Sequence, residues 1–148
     1  MINKWDERFM DVASLVATWS SCVRPGRQVG AVVVRDKRVL TSGYNGAAAG
    51  TLSCKDKGYC LREKESIPSG IQLEKCFAVH AEQNAINQAA YIGVSLKDAT
   101  MYTTLQPCTL CARQIVNAGI GRVVYFGSYS NTEGLDILRE AGVRVVAI

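Results

Sequence analysis

The chain contains a single histidine. It stands in His80-Ala81-Glu82, upstream of Pro107-Cys108-Thr109-Leu110-Cys111. A lone histidine in a helix-like segment ordinarily just packs, but these neighbours point elsewhere. Cys108 and Cys111 sit three apart at what reads as a helix start, so both thiols project from one face. The partial positive charge of a helix N-terminus favours thiolate over thiol. A neutral imidazole from the start of another helix adds a third ligand. One His and two thiolates fill three corners of a tetrahedral zinc and leave the fourth open, the pattern of a catalytic site. Water held there ionises near neutral pH, and Glu82, close by but not a ligand, can carry its proton. Any fold for this chain must therefore bring two helix starts, distant in sequence, to one point.

The rest of the pattern says how. Trp5, Phe9, Val12, Val16 and Trp19 trace one apolar helix face, with Asn3 as N-cap, and both tryptophans are expected in the core. Pro25-Gly26 breaks the chain. Val29 to Val34 is a continuous apolar run that reads as a strand, Asp36-Lys37 as a turn, and Val39 to Ser42 as the returning strand. Residues 50–75 are polar and irregular and read as an insertion loop with at most short helical pieces, which something must tie down. Beyond it come a helix over Val79 to Tyr91 and a strand over Ala99 to Leu105. A second helix begins with Pro107 at its first position and runs to Ala118. The chain closes with a strand over Val123 to Phe126, a helix capped by Thr132, and a strand over Val143 to Ile148. Strands alternating with helices predict an α/β sandwich, one sheet covered on both faces.

Composition narrows the class. The 148 residues fit one domain able to bury a real core. No apolar run approaches the ~18 residues of a membrane span. The acidic residues near the start argue against a signal peptide and for the cytoplasm, where thiols stay reduced. Six cysteines then lean towards metal binding or catalysis. The net charge of +4 suits an anionic small molecule and is too weak to argue for nucleic acid.

The two segments match the general His-x-Glu…Pro-Cys-x-x-Cys signature of zinc deaminases. The chain resembles the zinc-dependent cytidine/deoxycytidylate deaminase superfamily, and within it the dCMP deaminases. The resemblance runs from about Phe9 to the C-terminus. It includes Gln28-Val29-Gly30-Ala31-Val32-Val33-Val34, Ser42-Gly43-Tyr44-Asn45-Gly46, Gln83-Asn84-Ala85-Ile86, Ala99 to Thr104 and Ala118-Gly119-Ile120. The long segment between Asn45 and His80 looks like the insertion of dCMP deaminases, which tRNA adenosine deaminases usually have much shorter. The resemblance implies a three-layer α/β/α sandwich with a mixed sheet of about five strands. It implies hydrolysis of dCMP to dUMP and ammonia, supplying thymidylate synthesis. His80, Cys108 and Cys111 would bind the catalytic zinc and Glu82 would shuttle protons. The Ala81 N–H would donate to the pyrimidine O2, and carbonyls near Leu105 and Gln106 would accept from the exocyclic amine. Asn45 would hydrogen-bond the deoxyribose, although Tyr-Asn-Gly is also a common turn. Tyr129 would pack near the base or remain a loop tyrosine. The phosphate needs cationic partners. Arg24 and Arg27 precede the first strand, and Arg27 is the preferred candidate.

Cys22, Cys54, Cys60 and Cys76 are left over. Free cysteines often serve as small core residues, but three of these lie in or beside the polar insertion. The resemblance implies a second, structural zinc there, and four thiolates could close such a site. Family members also imply a homo-hexamer regulated oppositely by dCTP, with Mg2+, and by dTTP. Two alternatives stay open: a deaminase of dCTP, deoxycytidine, a free base or a nucleic acid, or a non-catalytic zinc-stabilised binding module. The carboxylate of Glu82 speaks against the latter.

Overall fold

The computed structural model describes every residue except position 129. Helix α1 (Lys4–Ala17) begins at a reciprocal cap: Asn3 Oδ1 accepts from the Trp5 and Asp6 amides, and Asp6 Oδ2 accepts from the Asn3 amide. Thr18 ends the helix before Trp19. Trp19 is therefore not a core residue as expected: it is 55% exposed and lies edge-on to Tyr44. Trp5 is only half-buried, against the edge of the core.

Strand β1 (Gly30–Arg35) returns through Asp36-Lys37, both at positive φ as a tight hairpin turn requires, into β2 (Arg38–Tyr44). A two-residue strand, β3 (Gly46–Ala47), pairs antiparallel with β4 (Ala78–Val79) and so closes the base of the insertion. The sequence pattern contains too little of either strand to reveal them. Between them lie two single-turn helices, α2 (Cys54–Lys57) and α3 (Leu61–Lys64), and a 3-10 turn at Leu73–Lys75.

After the insertion come α4 (Ala81–Ile92), β5 (Thr100–Leu105), α5 (Thr109–Asn117), β6 (Arg122–Gly127), α6 (Glu133–Glu140) and β7 (Arg144–Ala147). The main sheet has the order β2-β1-β5-β6-β7, antiparallel from β2 to β5 and parallel from β5 to β7. This is the five-stranded mixed sheet of the expected α/β/α sandwich.

The faces explain the apolar runs. Val32, Val34, Tyr102 and Val124 point to α1 and pack on Phe9, Met10, Ala13 and Val16. Their strand neighbours Ala31, Val33, Met101 and Val123 point the other way, into a core built with α4, α5 and α6. A strand buried on both faces has no polar positions to spare, so it reads as a continuous hydrophobic run.

Two glycines set the helix positions. At Gly43 on β2 a Cβ would collide with the Ala81 carbonyl and the Ala85 amide of α4. At Gly134 on α6 it would collide with the Pro107 carbonyl ahead of α5. The start of α4 and the approach to α5 are thus each seated on bare backbone. Helix α4 is further bolted to the sheet edge: Gln88 Oε1 accepts from the Ser42 amide at 2.8 Å, and Asn84 Nδ2 donates to the Tyr44 carbonyl at 2.8 Å. No helix among the described residues is long and apolar enough to cross a membrane.

Candidate active site

The two helix starts meet. His80 is the N-cap of α4, and its amide donates to Gln83 Oε1 at 2.9 Å. Cys108 is the N-cap of α5, so Pro107 precedes the cap rather than opening the helix as expected. The His80 ring presents Nδ1, which lies 3.3 Å from Cys111 Sγ and 3.5 Å from Cys108 Sγ. Two ligands of a tetrahedral zinc with ordinary Zn–N and Zn–S bonds stand about 3.6 Å apart. The donor types and their separations therefore fit zinc, with three protein ligands and room for a fourth. Among the described residues this is the one group of three metal-ligating side chains whose ligand atoms lie within 4.8 Å of one another.

Protons are shared within the cluster. A hydrogen bond from Cys111 is the main influence holding the Cys108 thiol down to about 4; His80 adds to it, against the cost of burial. Cys111 is pushed up correspondingly, first by that bond and then by burial. Metal binding would release these protons, because the ligands are thiolates and neutral imidazole.

Glu82 is 4% exposed. Burial pushes its carboxyl above the ordinary range, and the charge of His80 opposes this. Its Oε1 accepts from Thr103 Oγ1 at 3.0 Å, and its Oε2 lies 3.4 Å from Cys111 Sγ. Thr103, which holds the Glu82 carboxylate, is a residue the sequence reading missed. The available signal was a threonine two positions after Met101, on the face of β5 that looks into the α4 core.

A cleft of about 160 Å³ opens beside the cluster. Ala81, Leu105 and Gln106 line it with His80 and Glu82. The Ala81 amide is at the first turn of α4, where helix N–H groups have no partner within the helix. The Leu105 carbonyl lies 3.1 Å from Thr103 Oγ1 and competes with Glu82 for its one proton. Asn45 also lines the cleft, but its amide serves the backbone: Oδ1 accepts from the Val29 amide and Nδ2 donates to the Arg27 carbonyl. One donor and one acceptor of that side chain remain for a ligand. Tyr129, expected near the base, lies outside the described residues.

Arg24 and Arg27 are half-buried on the cleft wall. Arg24 is engaged, with its Nε 3.3 Å from Glu63 Oε1. A third arginine, Arg62, joins them and was not anticipated. Cys22, Cys54, Cys60 and Cys76 line the same cleft. Cys54 and Cys60 are buried although they lie in the polar insertion. Burial raises the thiols of Cys22 and Cys54, and the other cysteines add to the shift. The four share the cleft, yet no three of their sulfurs come within 4.8 Å of one another.

The chain is similar to known proteins. The chain is 38% identical over 142 residues to the deoxycytidylate deaminase of Schizosaccharomyces pombe, covering 95% of this chain and 43% of that one. The match to the deoxycytidylate deaminase of Saccharomyces cerevisiae covers 45% of that protein, so the chain spans less than half the length of these two yeast relatives. It is 41% identical over 129 residues to the deoxycytidylate deaminase of Mycobacterium phage D29, covering 82% of this chain and 93% of that one. Among solved structures, the dCMP deaminase of cyanophage S-TIM5 in complex with dCMP and dUMP superposes with a TM-score of 0.82 at 32% identity, covering 100% of this chain and 99% of that one. Residues 3–127 match the cytidine and deoxycytidylate deaminase zinc-binding region, and the chain belongs to that family.

Proposed function

We propose that this chain hydrolyses dCMP to dUMP and ammonia. The observation that carries the reading is the His80, Cys108 and Cys111 cluster beside the buried Glu82, with His80, Cys108 and Glu82 lining a cleft that three arginines also line. Zinc held by the three ligands would supply a Lewis-acid position where water becomes acidic near neutral pH.

The chain's own groups do the rest. Thr103 occupies Oε1 of Glu82, which leaves Oε2, on the Cys111 side, to take a proton from water. A carboxyl raised by burial can hold that proton and pass it to N3 of the cytosine, then take the second proton from the hydroxyl added at C4 and give it to the departing amine. The Ala81 amide would orient the ring through O2, and the carbonyls of Leu105 and Gln106 would receive the amine. Asn45 would hold the sugar with its unspent donor and acceptor. Side-by-side assay of dCMP, dCTP and deoxycytidine tests the reading. A dCMP rate well above the other two is expected, and turnover of dCTP or deoxycytidine alone would assign a different deaminase.

The presence of Cys22, Cys54, Cys60 and Cys76 along one cleft supports a second, structural zinc that pins the insertion. Elemental analysis should return two zinc ions per chain, falling towards one in Cys60→Ser, with the catalytic site still loaded. One zinc in the unaltered chain would reduce these thiols to packing. A cytoplasmic homo-hexamer, regulated oppositely by dCTP with Mg2+ and by dTTP, completes the reading. Native mass and assays with each nucleotide test it.

A further inference from the structure

Arg62 sits on the single-turn helix α3 and is 6% exposed. Its two terminal nitrogens donate at 2.7 Å each, one to the Gln72 carbonyl and one to the Pro68 carbonyl. These bonds brace the chain that presents Ser69 and Gly70 to the cleft. They do not neutralise the charge, since both acceptors are carbonyls. Among the described residues Arg62 forms no ion pair. Its neighbour Glu63 is turned to Arg24 instead. A guanidinium has five N–H donors, so three remain after the two carbonyls.

A buried guanidinium held only by carbonyls keeps its charge and its free donors for an anion brought into the same cleft. The other two arginines of the wall offer less. Arg24 already has a carboxylate, and Arg27 is only half-buried, where water screens its charge. We propose that Arg62 is the specificity-determining residue that receives the substrate's phosphate, ahead of the Arg27 that sequence position favours. The planar fork suits a phosphate's paired oxygens, and the same side chain fixes the Ser69-Gly70 backbone as the adjoining wall.

The assignment rests on the proposed deamination of dCMP, so the test separates the two. The kcat/KM ratio of dCMP to deoxycytidine is measured for the wild type and for Arg62→Gln, Arg62→Lys and Arg27→Gln. Binding of dUMP and of deoxyuridine is measured by calorimetry on the same proteins. Loss of a charge-assisted hydrogen bond predicts that Arg62→Gln lowers the substrate ratio about 10–100-fold, mainly through KM for dCMP. Arg62→Lys keeps the charge but not the fork, and should recover part of that ratio. Arg27→Gln should change it less than Arg62→Gln does. Equal losses on both substrates in Gln and Lys variants alike would make Arg62 a loop brace only and overturn the assignment, as would a larger effect from Arg27→Gln. If Arg62→Gln does not fold, the Lys variant decides: a ratio equal to the wild type's overturns the assignment. If the wild type deaminates neither compound, the proposed function fails, and binding still judges Arg62. Tighter binding of dUMP than of deoxyuridine, reduced in Arg62→Lys, supports the assignment; equal binding of the two overturns it.

Discussion

Thr103 Oγ1 lies 3.0 Å from Glu82 Oε1 and 3.1 Å from the Leu105 carbonyl, so one hydroxyl joins the buried Glu82 carboxylate to the strand that lines the cleft. The geometry fixes the carboxylate plane and turns its other oxygen towards Cys111. Thr103 is fully buried, and no water can replace it. Thr103→Val should therefore lower kcat about 10-fold or more, the cost of a lost hydrogen bond to a charged group, with KM little changed. Zinc content should stay at the wild-type value, and Thr103→Ser should restore most of the rate. A Val variant with full turnover would show that Glu82 needs no such support.

Glu82 itself separates chemistry from metal binding. Glu82→Gln keeps the shape and the Thr103 contact but cannot carry the proton. Turnover should fall by at least the ~10²–10⁴ typical of losing a general acid–base. Bound zinc should remain, because the ligand cluster comprises His80, Cys108 and Cys111. Retained activity in a zinc-loaded Gln variant would remove Glu82 from the mechanism.

What the sequence shows and what it hides follow from physical range. The α1 cap is local: Asn3 and Asp6 bond within one turn, so the N-terminus was legible. The double-faced burial of β1 leaves a run of valines that reads directly as a strand. Trp19 misleads because its 3–4 spacing continues past Thr18, where the helix has already ended. The metal ligands were legible because Cys108 and Cys111 share one turn and His80 with Glu82 shares another. Thr103 was not, because a threonine in a strand shows its role only when its partner across the core is known. Arg62 was hidden for the same reason: its acceptors are carbonyls, which every residue has.

Gly43 ties the fold to the metal. Because α4 rests on its bare backbone, Gly43→Ala must push the Ala81 and Ala85 backbone outward. Overpacking of this kind costs about 1–3 kcal/mol. The displacement falls at the turn that carries His80 and Glu82, so zinc affinity should drop along with thermal stability. Titration with a competing chelator and a melting curve measure both. A variant destabilised but binding zinc as tightly as the wild type would mean that the start of α4 is held by Gln83, Asn84 and Gln88 alone.

Asp6 gives the fold its acid sensitivity. It is 1% exposed and accepts from Tyr102 Oη at 2.8 Å and from both terminal nitrogens of Arg122 at 2.7 and 2.9 Å, which ties α1 to β5 and β6. The Arg122 hydrogen bonds, first among the causes, hold its carboxyl down to about 2 from an ordinary 3.8. A carboxyl depressed in the folded state binds its proton less tightly there than in the unfolded chain. Its contribution is therefore complete above the unfolded value, near pH 4, and is lost as pH falls towards 2. The shift corresponds to about 2 kcal/mol. Asp6→Asn should destabilise the protein at pH 7 by about 3 kcal/mol, since Arg122, only 12% exposed, would lose its counter-charge. The gap between wild type and variant, read from denaturant unfolding, should shrink as pH is lowered from 5 to about 2. A gap that stays constant over that range would mean that Asp6 holds α1 by its hydrogen-bonding shape, which asparagine partly reproduces, and not by its charge.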